Sequence, residues 1–80
     1  MRIKILFFGM AKDLAGETST SVEIIEDMKV SAFRRFLQKE YPLFSEMDSF
    51  SIAVNETYAE EDLIIVEHDT VAVIPPVSGG

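Results

Sequence analysis

Apolar and polar positions alternate with a period of two at the start of the chain. Ile3, Ile5 and Phe7 fall on one face, and Arg2, Lys4, Leu6 and Phe8 on the other. The pattern predicts an opening strand with its first face buried. The second face begins polar and ends apolar, which puts Leu6 and Phe8 on the side of the sheet away from the core. Gly9 breaks the strand, residues 10–15 have room for a helical turn or two, and Gly16 is a natural C-terminal stop. Residues 18–26, rich in hydroxyls, read as a second strand antiparallel to the first. From Val30 the period lengthens to that of a helix. Val30, Phe33, Leu37 and Tyr41 form a stripe that Phe36 widens, while Ser31, Arg34, Arg35, Gln38 and Lys39 face out. Pro42 ends this helix. Its start is poorly capped, because Lys29 and Met28 stand where Ser, Thr or Asp would serve best.

Residues 43–50 read as a connection anchored by Phe44 and Met47, followed by short strands at 51–55 and 57–59 joined through a turn at Asn55 and Glu56. Residues 63–66 are all aliphatic and are expected to tuck under the body, after which Glu67, His68 and Asp69 turn the chain. Residues 70–74 form the last strand, with Val71 and Val73 on one face and Ala72 and Ile74 on the other. Pro75 and Pro76 stop it, since neither donates to a ladder and both favour an extended backbone. One main helix cannot cover both faces of a four- or five-stranded sheet, so the fold class is α+β with one face left open. If Ile3, Ile5, Phe7, Val71 and Val73 face the helix, then Leu6, Phe8, Ala72 and Ile74, joined by Tyr58, make an apolar patch on that open face. A patch of this kind is a candidate partner interface.

Composition narrows the chemistry. Eighty residues make one domain, expected to span residues 1–76 with a flexible tail at 77–80. The absence of cysteine excludes a disulfide framework, a thiolate metal site and a cysteine nucleophile on this chain, and it fits a reducing cytosol. No stretch is apolar enough for a signal peptide or a membrane span, so a cytoplasmic protein with no membrane partner is expected. Residues 1–39 hold all seven Lys and Arg against five acids, a net +2, whereas residues 40–80 hold nine acids and no Lys or Arg, a net −9. That asymmetry argues against nucleic acid, which needs cations to replace phosphate counterions. It serves solubility and the steering of a basic partner equally well. Glu60-Glu61-Asp62 lacks the glycine and ligand spacing of a calcium loop and reads as a solvated turn, so no metal is assigned. His68, the only histidine, reads as a surface turn residue.

The remaining candidate chemistry is at Val77-Ser78-Gly79-Gly80. Two glycines let a backbone enter a slot too narrow for any side chain and leave the Gly80 α-carboxylate as the reactive group. Taken alone, such a pair is as readily a frayed terminus. Behind the rigid Pro75-Pro76 lead it becomes a probe that extends at most about 13–14 Å past the body, suited to a partner's pocket. No general base, metal ligand or phosphate cradle is visible on this chain, so acid–base groups and substrate binding are expected on a partner.

Ile5-Leu6-Phe7-Phe8, Leu14-Ala15-Gly16, Ala53-Val54-Asn55 and above all the run from Asp69 through Pro75-Pro76-Val77-Ser78-Gly79-Gly80 resemble the MoaD family of ubiquitin-like sulfur carriers, the small subunits of molybdopterin synthase. Thiamine sulfur carriers share the Gly-Gly end but are shorter and lack the Phe-Phe opening and the Pro-Pro segment. The resemblance implies a β-grasp fold with a mixed sheet and a carrier that is not catalytic alone. It also implies that a ubiquitin-activating-type enzyme spends ATP to adenylate Gly80, and that a persulfide donor converts it to a thiocarboxylate. The tail then enters the large subunit, in a heterotetramer, to sulfurate cyclic pyranopterin monophosphate during molybdenum cofactor biosynthesis. No cofactor is expected on this chain itself. Gly79 would be the slim approach to the reacting Gly80, with Ser78, Val77, Pro76 and Pro75 as the tail. Two alternatives share the activation step: a protein modifier joined to lysines, and a sulfur carrier for thiamine or tRNA thiolation. A non-covalent β-grasp adaptor does not need it.

Overall fold

The computed structural model describes residues 1–47 and 49–76; the predicted tail residues Val77, Ser78, Gly79 and Gly80 lie outside them. Five strands, β1 (Arg2–Phe7), β2 (Ser19–Glu23), β3 (Ser51–Val54), β4 (Thr57–Tyr58) and β5 (Thr70–Ile74), form one sheet in the order β2-β1-β5-β3-β4. β1 and β5 pair in parallel at the centre and every other pairing is antiparallel, so the sheet is mixed. Two helices, α1 (Gly9–Ala15) and α2 (Val30–Glu40), and a 3-10 turn at Pro42–Glu46 complete a ubiquitin-like β-grasp.

Alternation in β1 and β5 sends Ile3, Ile5, Phe7, Val71 and Val73 into one core with Ile52 and Val54 of β3. Val30, Phe33 and Leu37 of α2 close over them. Phe44 and Met47 anchor the connection as expected, and Phe50 joins them, its ring meeting Phe44 edge-on at 5.7 Å between centroids. The 3-10 turn has too few residues to show a helical period, which is why Pro42–Glu46 reads as plain connection in the sequence.

Three expectations are corrected. β2 ends at Glu23, earlier than residue 26, because the chain turns at Asp27 with φ +61° after the Ile24 N–H bonds to the Met1 carbonyl. Arg34 does not simply face out: its Nε donates to Glu61 Oε1 at 2.9 Å, its Nη1 donates to the Phe50 carbonyl, and its guanidinium lies 4.9 Å from the centre of the Phe50 ring. Of residues 63–66 only Ile65 is buried, while Leu63, Ile64 and Val66 stay exposed. The same loop explains how α2 manages without a capping side chain. Its first amides, Val30 N–H and Ser31 N–H, each donate at 2.9 Å to the carbonyls of Leu63 and Glu61, so a distant loop does the work of an N-cap.

Candidate functional site

The face of the sheet turned away from α2 is graded from polar to apolar. At one end Arg2 pairs with Glu23 at 3.2 Å, and Lys4 lies between Ser21 and Thr70. One register step further, Ser19, Leu6, Ala72, Ala53 and Tyr58 make a row across all five strands. Two adjacent alanines in that row lower its centre, while longer side chains rise on either side. The result is a groove walled by Leu6, Phe8, Tyr58 and Ile74 with Ala72 and Ala53 at its floor. All five residues expected to form the open-face patch, Leu6, Phe8, Tyr58, Ala72 and Ile74, therefore line a single depression. Ala53 is an addition. Its neighbours Ile52 and Val54 point into the core, and period two alone would have placed it here.

Phe8 is held firmly although its side chain is 49% exposed. Its backbone is extended at the start of α1, its N–H donates to the Val73 carbonyl at 3.3 Å, and its own carbonyl accepts from Ala11 N–H at 3.0 Å. Gly9 follows with φ +51°, a conformation that side chains disfavour. A Cβ on Gly9 would sit 3.2 Å from Pro75 Cγ, tighter than ordinary contact. The bare Gly9 backbone thus lies against the half-buried Pro75, with Pro76 exposed just beyond it. Because β1 and β5 run in parallel, their C-terminal ends share one edge of the sheet. Phe8, Ile74 and Pro75 consequently cluster where the chain leaves the body toward Val77.

A polar lock, not anticipated from the sequence, fixes the far end of the groove. Asn55 and Glu56 both take positive φ, +50° and +72°, in the tight turn between β3 and β4. The Asn55 amide donates to Asp69 Oδ1 at 2.8 Å, and its carbonyl oxygen accepts from Thr70 N–H at 3.0 Å. The second Asp69 oxygen accepts from Val66 N–H at 2.9 Å. Asp69 is 8% exposed, the one buried charged side chain among the described residues, and it is fully engaged. Its partners are fourteen and three residues away, so no local motif announces it. His68 lies in the turn just before, exposed with φ +71°, as a surface residue.

Among the described residues no group of three His, Asp or Glu side chains is placed to hold a metal, and no helix is long and apolar enough to cross a membrane. What the open face offers is shape: a rigid apolar groove beside a proline-stiffened exit. Such a surface has the shape and apolar character of a protein-docking face.

Comparison with known proteins gives four findings. Residues 5–80 match the model of the ThiS family. The molybdopterin synthase sulfur carrier subunit of Caenorhabditis briggsae is 37% identical over 81 residues, which cover 98% of this chain and 96% of that one. Among solved structures, a Pyrococcus furiosus protein described as subunit 1 of molybdopterin converting factor superposes with a TM-score of 0.86 at 28% identity, covering 96% and 99% of the two chains. A Helicobacter pylori chain, from a complex of subunits 1 and 2 of molybdopterin-converting factor, shares the fold with a TM-score of 0.71 at 23% identity over the whole of both chains.

Proposed function

The chain belongs to the ThiS family, and from that premise we propose that it is a sulfur carrier subunit of molybdopterin synthase. One observation carries the reading: 37% identity to such a subunit, spanning nearly all of both chains. The geometry supports it, because the exit of β5 lies at the apolar end of the open face, so a partner seated on Leu6, Phe8 and Ile74 stands next to Pro75, near the C-terminal end of the described residues.

The reacting group is the Gly80 carboxylate. A carboxylate is a poor electrophile, so an adenylating enzyme first joins it to AMP from ATP, releasing pyrophosphate. The terminal sulfur of a persulfide donor then displaces AMP to give an acyl disulfide, and a second thiol of the partner proteins attacks the donor sulfur, forming a protein disulfide and releasing the Gly80 thiocarboxylate. The large subunit of the synthase takes the tail into its own pocket, where the sulfur attacks cyclic pyranopterin monophosphate. This chain supplies the nucleophile and its delivery, and Gly79 keeps the approach slim. Proton transfer and substrate binding belong to the large subunit, ATP to the activating enzyme, and the chain carries no cofactor. The setting is the cytoplasm.

Intact-mass measurement after incubation with the cognate adenylating enzyme, ATP and a sulfur donor tests the reading. The expected result is a gain equal to replacing one oxygen by sulfur, mapped to Gly80 and absent when Gly79 and Gly80 are deleted. No exchange with an enzyme shown to be active on another carrier would overturn it.

A further inference from the structure

Around the β4 edge from the open face lies a second apolar groove, formed between that strand and the loop that follows it. Tyr58, Leu63, Ile64 and Val66 supply its apolar surface, and the carboxylates of Glu60 and Asp62 stand on it. Folding does not account for these aliphatics. Only Ile65 reaches the core, at 0% exposure, while Leu63, Ile64 and Val66 remain 42%, 45% and 56% exposed. Polar residues at those three positions would leave the core unchanged. Single exposed aliphatics are ordinary on a protein surface, but three around one buried residue, with Tyr58 beside them at 70% exposure, make a contiguous patch.

The patch is displayed on a fixed backbone. Ile65 N–H donates to the Met28 carbonyl, the Leu63 carbonyl accepts from Val30 N–H, and Val66 N–H is held by Asp69. A ligand therefore meets a preformed surface, and little ordering cost opposes binding. The electrostatics select among ligands. Glu60 and Asp62 line the groove, Glu56 and Glu67 follow its lining residues Asn55 and Val66 in the chain, and among the described residues none of these four carboxylates is in an ion pair. Of the nearby cations, Arg34 is committed to Glu61, and Lys29 meets the loop through a backbone bridge to Ile64. No Lys or Arg follows residue 39. Such a rim repels nucleic acid and anionic lipid and attracts positive charge.

We propose that this groove is a second docking site, which shares only Asn55 and Tyr58 with the open-face groove, for a cationic segment of another protein that carries aliphatic anchors. Leu63, Ile64 and Val66 receive the anchors, and Glu60 and Asp62 pair with flanking Lys or Arg. Phe8, Ile74 and Pro75, which flank the exit of β5, do not line this groove, so a protein can hold the chain here without covering that exit.

The test uses the full chain, labelled with 15N, and a short amidated peptide of Leu and Lys at helical spacing. Two counterparts replace every Lys by Glu, or every Leu by Ser. Saturable amide shifts centred on Tyr58, Ala59, Leu63, Ile64 and Val66 are expected with the Leu–Lys peptide and absent with both counterparts. Leu63→Ser with Val66→Ser, exposed positions whose change leaves the unfolding midpoint near that of the parent, should weaken binding about tenfold or more. Glu60→Lys with Asp62→Lys should do the same. Shifts scattered over all acidic residues, shifts centred on Leu6, Phe8 and Ile74, or equal binding of the Ser counterpart would each overturn the proposal. So would self-association of the chain abolished by Leu63→Ser, which would make the occupant a second copy. None of these outcomes bears on sulfur transfer to Gly80.

Discussion

At the scale of single residues, Asp69 is the side chain with the most to lose. It satisfies the Asn55 amide and the Val66 N–H at once from a nearly buried position. Truncation strands both donors, and an unpaired buried donor costs about 1–3 kcal/mol. Asp69→Ala should therefore lower the free energy of unfolding in urea by about 1–3 kcal/mol, whereas Asn55→Asp should cost comparably through facing carboxylates. An Asp69→Ala protein as stable as the parent would show that water replaces the lost acceptor. The lock also joins both grooves, since Asn55 and Tyr58 line each of them. Its loss should loosen the two surfaces together.

Elements differ in how plainly the sequence announces them. β1, α2 and β5 follow from periodicity, because each turns one face to the core and repeats that demand several times. The open-face groove was legible for the same reason: once Ile3, Ile5 and Phe7 point inward, Leu6 and Phe8 have nowhere else to go. The loop at 63–66 was not. Four consecutive aliphatics carry no period, and which of them is buried depends on Met28 and Val30, more than thirty residues away. The helix start was read correctly as uncapped, yet its remedy in the carbonyls of Glu61 and Leu63 is a tertiary fact. The β3–β4 turn makes a prediction of its own. Both central residues take positive φ, which suits Asn55 but strains Glu56. Glu56→Gly restores the Asn-Gly pair that such turns favour and should raise stability by up to about 1 kcal/mol, read as a higher denaturation midpoint. An unchanged or lower midpoint would mean that the added backbone entropy of the unfolded chain offsets the relief.

For the whole molecule the governing facts are a net charge of −7, gathered in the second half, and an apolar face beside the exit of β5. If the large subunit covers that face, Phe8→Asp or Ile74→Asp should weaken the complex by about 2–4 kcal/mol, since each buries an unpaired carboxylate at an anchor position. Titration calorimetry against the purified large subunit measures this, and unchanged affinity would move the interface elsewhere. The association rate should also fall as salt rises, because the acidic half steers toward a basic surface. The central pairing of β1 with β5 has a further consequence, for biosynthesis. The first strand waits for the last: Ile5 cannot meet Val71 until almost the whole chain has been made. Contacts so distant in sequence raise contact order and slow folding. They also make the exit of β5 a product of the completed sheet, so a truncated or unfolded chain has no rooted tail to present. If the proposed function holds, an activating enzyme that recognises the sheet beside Pro75 would thereby inspect the fold before spending ATP on it.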